Sequence, residues 1–381
     1  MARRRLSFAG CFHLWLLVGS LPVGGLLFRS RDVAYAKGSA PLVEDPFDIA
    51  AGGASLTRAS QGGMILSNPA LIPYGPGFHR WVGSETTLIV GKDSVDFARS
   101  LQNGDSSASN DGSSDQSKFI EKIVTTPIHA GTLNNLSYIN RLFGIGAFSR
   151  NEFDIAVKKF GDTGLPSVRF RGESYQALGL SAASFIAGPA ISFGVTGKYL
   201  YASAPDLAID LTDQEAIGRL QTTGGIRSLM AMNSGFGYDA GLLFFSQGLN
   251  VDYRLALKVD DIGGTSLGGD GTLTELRQVA SAGLGYTLHN AVDAIHLSLD
   301  YRDIQASYQE ELFKRIRIGA KLLVRRHLGL GIGYYDGWPS YGLEVDAWII
   351  RLTATYYTRE FGAKPGIDPR PLYALGFSMG F

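Results

Sequence analysis

Ile295-His296-Leu297-Ser298-Leu299-Asp300-Tyr301-Arg302 alternates apolar and polar residues without a break. In an extended chain successive side chains point to opposite faces, so this octapeptide has one apolar face and one hydrogen-bonding, charged face. The same two-residue period returns at 251–260, where Asp252, Arg254, Lys258 and Asp260 share a face, and at 315–322, where Arg315, Arg317 and Lys321 do. It returns again at 343–347 around Glu344 and Asp346, and at 350–357 around Arg351, Thr353 and Thr355. A soluble β-sandwich also alternates, so two further features decide. The stretches between turn signals run well past the roughly five or six residues of a soluble strand. They reach the about nine to eleven that a tilted membrane strand needs. The polar face is heavily charged and the other almost free of charge, which suits a wet or salt-bridged lumen inside and lipid outside.

Followed along the chain, the pattern predicts an all-β fold: a transmembrane antiparallel β-barrel of about fourteen strands. The strands are read at 85–97, 136–149, 153–160, 167–183, 189–204, 235–247, 250–262, 275–288, 293–305, 312–325, 326–336, 339–349, 350–360 and 370–381. Residues 37–84 precede the wall, and 85–381 form it. Three stretches do not read as strands. Pro46–Ile72 is rich in Ala, Gly and Ser; 101–118 is a run of Ser, Asn, Asp and Gly expected to be an external loop; 205–232 is expected to be a structured loop or cap with a weakly helical run near 213–220.

The last nine residues, Tyr373-Ala374-Leu375-Gly376-Phe377-Ser378-Met379-Gly380-Phe381, put a large apolar side chain at every second position and a small residue between. A closing strand of this form turns its large side chains to lipid and leaves room in the lumen. Tyr373, Phe377 and the final Phe381 resemble the signal by which outer-membrane barrels are recognised, so the barrel-assembly machinery is an expected partner.

The composition agrees. Among 381 residues there are 49 Gly, 17 Tyr and 21 Phe, only 18% are charged, and the formal net charge is zero. Aromatics and glycines at this level suit many short-turned strands with a membrane girdle. At the N-terminus Arg3, Arg4 and Arg5 precede an apolar stretch from Leu6 to Phe28, and Ala34-Tyr35-Ala36 offers a small-x-small cleavage pattern. Residues 1–36 therefore read as an export signal. An uncleaved anchor is the alternative, weakened by Ser20, Pro22, Gly24 and Gly25, which interrupt a helix meant to stay in lipid. Cleavage after Ala36 would remove Arg3, Arg4, Arg5, Arg29 and Arg31 but only Asp32 among the acids, leaving a slightly acidic chain. It would also remove Cys11, the one cysteine, and with it any disulfide or thiol chemistry. No basic patch marks a nucleic-acid partner.

Two motifs carry a family resemblance. Asp45-Pro46-Phe47-Asp48-Ile49-Ala50-Ala51-Gly52-Gly53-Ala54-Ser55, followed by Ile65-Leu66-Ser67-Asn68-Pro69-Ala70-Leu71, resembles the opening of the FadL superfamily of outer-membrane proteins. The strings at 235–241, 331–337 and 355–357 are similar to the same superfamily, its PorV-like members included. The resemblance implies a barrel of about fourteen strands with the N-terminal segment folded inward as a plug, Gly52, Gly53, Asn68 and Pro69 marking its turns. It also implies carriage of hydrophobic compounds such as long-chain fatty acids in some members and secretion-system partnership in others. One departure is Arg58, a basic residue at a place where acidic ones are common in the family.

The chemistry-bearing residues point away from catalysis. His296, Ser298 and Asp300 share a face, but alternate residues on one strand are about 7 Å apart, whereas a catalytic hydrogen bond needs about 3 Å. His79, His129, His289 and His327 have no metal-ligand spacing, and no cofactor is expected. The inward charged set, Asp252, Arg254, Lys258, Asp260, His296, Asp300, Arg302, Arg315, Arg317, Lys321, Glu344, Asp346 and Arg351, is mixed in sign and reads as a salt-bridge network rather than an ion path. Three functions follow. The first is passive transport of hydrophobic small molecules across the outer membrane of a diderm bacterium, with membrane lipid and an apolar ligand as partners. The second is a structural or secretion-associated barrel binding proteins through 101–118 and 205–232. The third, an open polar porin, is disfavoured by the N-terminal segment.

Overall fold

The computed structural model describes residues 42–59, 62–75, 81–96, 126–158, 167–210, 231–290, 293–325 and 327–380. The expected leader, the run at 101–118 and Phe381 lie outside the described residues.

The alternating stretches form fourteen wall strands: β1 (Trp81–Gly91), β2 (Ile128–Ile139), β3 (Phe143–Lys158), β4 (Ser167–Phe185), β5 (Ile191–Ser203), β6 (Asn233–Gln247), β7 (Val251–Asp260), β8 (Val279–His289), β9 (Ala294–Tyr301), β10 (Ile316–Val324), β11 (Leu328–Tyr335), β12 (Trp338–Ala347), β13 (Ile350–Glu360) and β14 (Pro369–Gly380). Each pairs antiparallel with its neighbour in sequence, and β14 returns to β1 with Gly380 opposite Gly83 and Leu372 opposite Gly91. The wall is thus closed. Closure pairs the backbone N–H and C=O groups that an open edge would leave bare in hydrocarbon.

The polarity of the wall is inverted relative to a soluble protein. Ile295, Leu297 and Leu299 are 42%, 44% and 39% exposed, whereas His296 and Asp300 are 4% and 0%. Tyr373, Leu375, Phe377 and Met379 face outward on β14, with Ala374 and Ser378 buried. Aromatic rings meet across the outer face: Tyr356 lies 5.1 Å from Tyr341 and 5.4 Å from Tyr373, centroid to centroid. An apolar band with aromatic clusters outside, and charge inside, is the arrangement of a transmembrane barrel. The turns after β2, β4, β6, β8, β10 and β12 lie at one end, and the strand ends joined by the long connections, after β1, β5, β7 and β9, lie at the other. Short turns belong to the periplasmic end and long loops to the outside.

Several expected boundaries move. The wall begins at Trp81, so 81–84 belong to β1 rather than to the preceding segment. The strand expected at 136–149 is two strands with a turn at Asn140–Leu142, where Asn140 Oδ1 accepts from the amides of Leu142 (2.8 Å) and Phe143 (2.9 Å). That Asx turn has neither Gly nor Pro, the usual markers. Within 205–232, Asp206–Asp210 forms a short strand on Ser167–Arg171 of β4, extending the sheet beyond the barrel rim. β10 starts at Ile316 after one helical turn, Leu312–Arg315, so Arg315 does not face the lumen from the strand as expected. Its guanidinium lies over the ring of Tyr301, 5.5 Å from the centroid.

Candidate functional site

The lumen is occupied by residues 42–59 and 62–75, and its physical basis is small side chains on both sides of the contact. Helix α1 (Pro46–Ala50) is capped by Asp45, whose Oδ1 accepts from Phe47 N (2.7 Å) and Asp48 N (3.2 Å). The Pro46 carbonyl accepts from Thr355 Oγ1 of β13 at 2.7 Å. Ser340 of β12 donates to the Ala50 carbonyl (3.1 Å) and accepts from Gly52 N (3.2 Å). Gly52 and Gly53 have φ of +75° and +69°, a conformation that favours glycine. There the backbones touch: a Cβ on Gly319 of β10 would overlap the Ala51 carbonyl, and one on Gly333 of β11 would overlap Gly52.

The segment then crosses to the opposite wall. Leu56 N donates to Asp300 of β9 (3.0 Å), and Arg302 donates to the Gly53 carbonyl (3.1 Å) and Ser55 Oγ (3.0 Å). Arg254 of β7 donates to the Thr57 carbonyl (3.1 Å), and Lys258 to that of Leu66. Ser181 of β4 and Thr196 of β5 reach the Ile65 carbonyl, and Ser192 reaches that of Ala70. Helix α2 (Met64–Ser67) buries Ile65 and Leu66 beside Phe148 and Leu200. Asn68 then caps the 3₁₀ helix Pro69–Tyr74, its Oδ1 accepting from Ala70 N (3.1 Å) and its Nδ2 donating to the Leu56 carbonyl (2.8 Å). Proline is tolerated at a first helical position because no intrahelical partner awaits its missing N–H. The Asn-Pro pair therefore tethers the two limbs of the segment.

Charge pins the segment as well. Glu44 pairs with Arg317 and accepts from Tyr335 Oη (2.7 Å); Asp48 pairs with Lys321; Asp45 pairs with Arg351 (2.9 Å). Burial pushes the Glu44 carboxyl up, but Arg317, Arg150 and Arg302 outweigh it and hold the group below its usual range. Arg58 is the opposite case. Burial and the neighbouring Arg254 bring it down to about 10, and its Nη1 donates to His296 Nδ1 at 2.8 Å.

The expected inward residues thus have several employments. His296 is shared between Arg58 and Thr287 (2.8 Å), and Asp300 between Leu56 N and Arg302 (3.5 Å). Asp252 lies 3.8 Å from His289, and Glu344 lies 3.5 Å from Arg351. Asp346 stands at the barrel rim, accepting from Trp348 N (2.9 Å) in the β12–β13 turn.

A second cluster escaped the sequence reading. Arg359 of β13 pairs through Nη1 with Glu152 of β3 and through Nη2 with both carboxylate oxygens of Glu173 of β4 (2.7 Å to each), while Arg150 donates to Glu152 (2.7 Å). Beside it His129 lies between Glu152 (3.4 Å) and Asp154 (3.5 Å), and Arg370 pairs with Asp154 (3.0 Å). The signal was present: Arg150, Glu152 and Asp154 occupy alternate positions, but the expected break after 149 hid the period.

The chain superposes on TbuX, a toluene transporter of Ralstonia pickettii, with a TM-score of 0.51 at 12% identity, covering 88% of this chain and 97% of that one. TodX, the toluene transporter of Pseudomonas putida, matches at 0.47 and 12% identity, covering 89% and 98%. The CymD monoaromatic hydrocarbon channel matches at 0.49 and 10% identity, covering 89% and 98%. No protein-family model matches the chain, and no curated protein sequence matches it. In fold, the chain is the closed antiparallel barrel of fourteen strands expected from its alternating sequence.

Proposed function

We propose that this protein is an outer-membrane barrel for passive passage of hydrophobic small molecules, with residues 42–75 acting as a plug that denies the lumen to ions and polar solutes. The observation that carries the reading is the lumen itself. Its charges are engaged with one another or with the N-terminal segment, and the segment touches wall strands from β3 round to β13. A polar porin requires a water-filled path along such charges; here they are occupied in holding a stopper. Fold likeness to a toluene transporter adds monoaromatic hydrocarbons to long-chain fatty acids as cargo classes.

Uptake by proteoliposomes separates the alternatives. Labelled toluene, a labelled long-chain fatty acid and a labelled sugar are presented to vesicles with and without the folded protein. We expect one or both hydrophobic compounds to enter several-fold faster with the protein, and the sugar to show no gain. Equal rates for every solute would overturn the transport reading. They would favour a barrel that serves protein partners, for which the Asp206–Asp210 strand beyond the rim offers a platform.

A further inference from the structure

A concavity lies on the outside of the wall. It measures about 1380 Å³ and runs from the periplasmic ends of β5 and β6 across β7–β11, floored by Leu255, Leu284, Leu297, Leu299, Ile318 and Ile332. All six are at least 39% exposed. The dent has a cause in the lumen: Gly283, Gly285, Gly319 and Gly333 carry no inward side chain there. The wall therefore lies directly on Ala51, Gly52, Leu56 and Thr57. Tyr253 and Tyr286 line its periplasmic part, their rings 5.1 Å apart, and Phe313 and Tyr334 line the end near the long loops.

Arg315 lies next to that outer end: Phe313 and Ile316, on either side of it in sequence, line the groove, and Arg315 itself does not. It is half-buried over Tyr301, an outward-facing ring that pairs in register with Ile316. Its Nη1 donates to the Asp303 carbonyl (2.8 Å), its Nε is buried without a hydrogen-bond partner, which leaves Nη2 as the group open to a ligand, and no carboxylate within ion-pair distance is found among the described residues. A cation of this kind at the lip of an apolar groove in a membrane wall calls for a ligand with hydrocarbon chains and an anionic head.

We propose that this groove binds an anionic lipid of the outer leaflet, its acyl chains in the dent and its phosphate on Arg315. The site rests on the outer-membrane orientation of the barrel and not on its cargo. Loss of transport with lipid binding intact would count against the transport reading alone. Loss of lipid binding with transport intact would count against this site alone.

The test is native mass spectrometry and a binding titration on the full-length folded barrel in mild detergent. The probes are bisphosphorylated lipid A, its dephosphorylated form, and inorganic phosphate. Arg315→Gln removes the charge. Leu299→Trp fills the groove from a lipid-facing position, and Leu136→Trp, on the wall formed by β2, is the matched control. Heat-modifiable migration on gels confirms that each variant is a barrel. We expect the phosphorylated lipid to bind about tenfold more tightly than its dephosphorylated form, as one charge-assisted hydrogen bond provides. Arg315→Gln should erase that preference, Leu299→Trp should weaken both lipids, and Leu136→Trp should change neither. Equal affinity for the two lipids, a preference that survives Arg315→Gln, or competition by inorganic phosphate alone at matched concentration would overturn the proposal.

Discussion

Replacing Arg359 with leucine is expected to destabilise the barrel by about 3–5 kcal/mol, the usual cost of stranding a buried carboxylate. Arg359 holds Glu173 through Nη2 and Glu152 through Nη1, and all three side chains are buried. Arg150 still serves Glu152 at 2.7 Å, but it stands 3.9 Å from Glu173 and cannot replace the Nη2 contact. Arg359→Lys keeps the charge but has one nitrogen where Arg359 uses two, and should lose less. The double variant Arg359→Leu with Glu173→Leu should recover part of the loss, because it removes the stranded charge instead of restoring a partner. Unfolding midpoints in urea, with the barrel in vesicles, report the effect. A loss under about 1 kcal/mol for Arg359→Leu would place the pair in the class of solvated surface bridges.

Gly319→Val is expected to unseat the N-terminal segment while leaving the wall intact. The new side chain would occupy the position of the Ala51 carbonyl, and both are backbone-anchored, so neither can swing aside. Overpacking of this kind costs about 1–3 kcal/mol, which corresponds to roughly 5- to 150-fold more open segment. A cysteine placed at Ser67, in a Cys11→Ser background, reads the change, since Ser67 is 4% exposed in the docked segment. Thiol labelling should accelerate by that factor in Gly319→Val. It should not in Gly197→Val, where a Cβ would meet nothing nearer than the Tyr238 ring at 3.9 Å. Equal labelling in all backgrounds would mean that the Ala51–Gly319 contact does not hold the segment.

How far these features can be read from sequence depends on which face each residue type occupies. Where outward positions are apolar and inward ones polar, as at 295–302, the strand and its orientation are legible. β2 and β3 break that code. Leu133 faces in, toward Ile49 and Ile89, while Asn134 and Ser149 face out and hydrogen-bond to each other at 3.1 Å. With apolar residues inside and amides outside, period two survives but its polarity does not, and the strands were misplaced. The Asn-Pro and Gly-Gly turns of the segment were legible because local backbone geometry demands those residues. Its anchors were not. Glu44 finds Arg317 across 273 positions and Arg359 finds Glu173 across 186, distances at which residue type gives no partner. Arg315 shows the converse failure: its parity matches Arg317, but one helical turn before β10 rotates it out of the lumen's register.

Single-channel conductance in planar bilayers, wild type against a chain lacking 46–72, tests the central claim most directly: a complete transmembrane barrel stoppered by its own N-terminal segment. Both proteins must first show heat-modifiable migration, which establishes a folded wall. The wild type is expected to give almost no steady conductance. The deletion is expected to give large, stable openings, because removing the segment leaves a fourteen-stranded lumen lined by Arg317, Lys321, Arg351 and Asp300. A wild type that already conducts as an open pore, or a folded deletion that conducts no more than the wild type, would contradict the account.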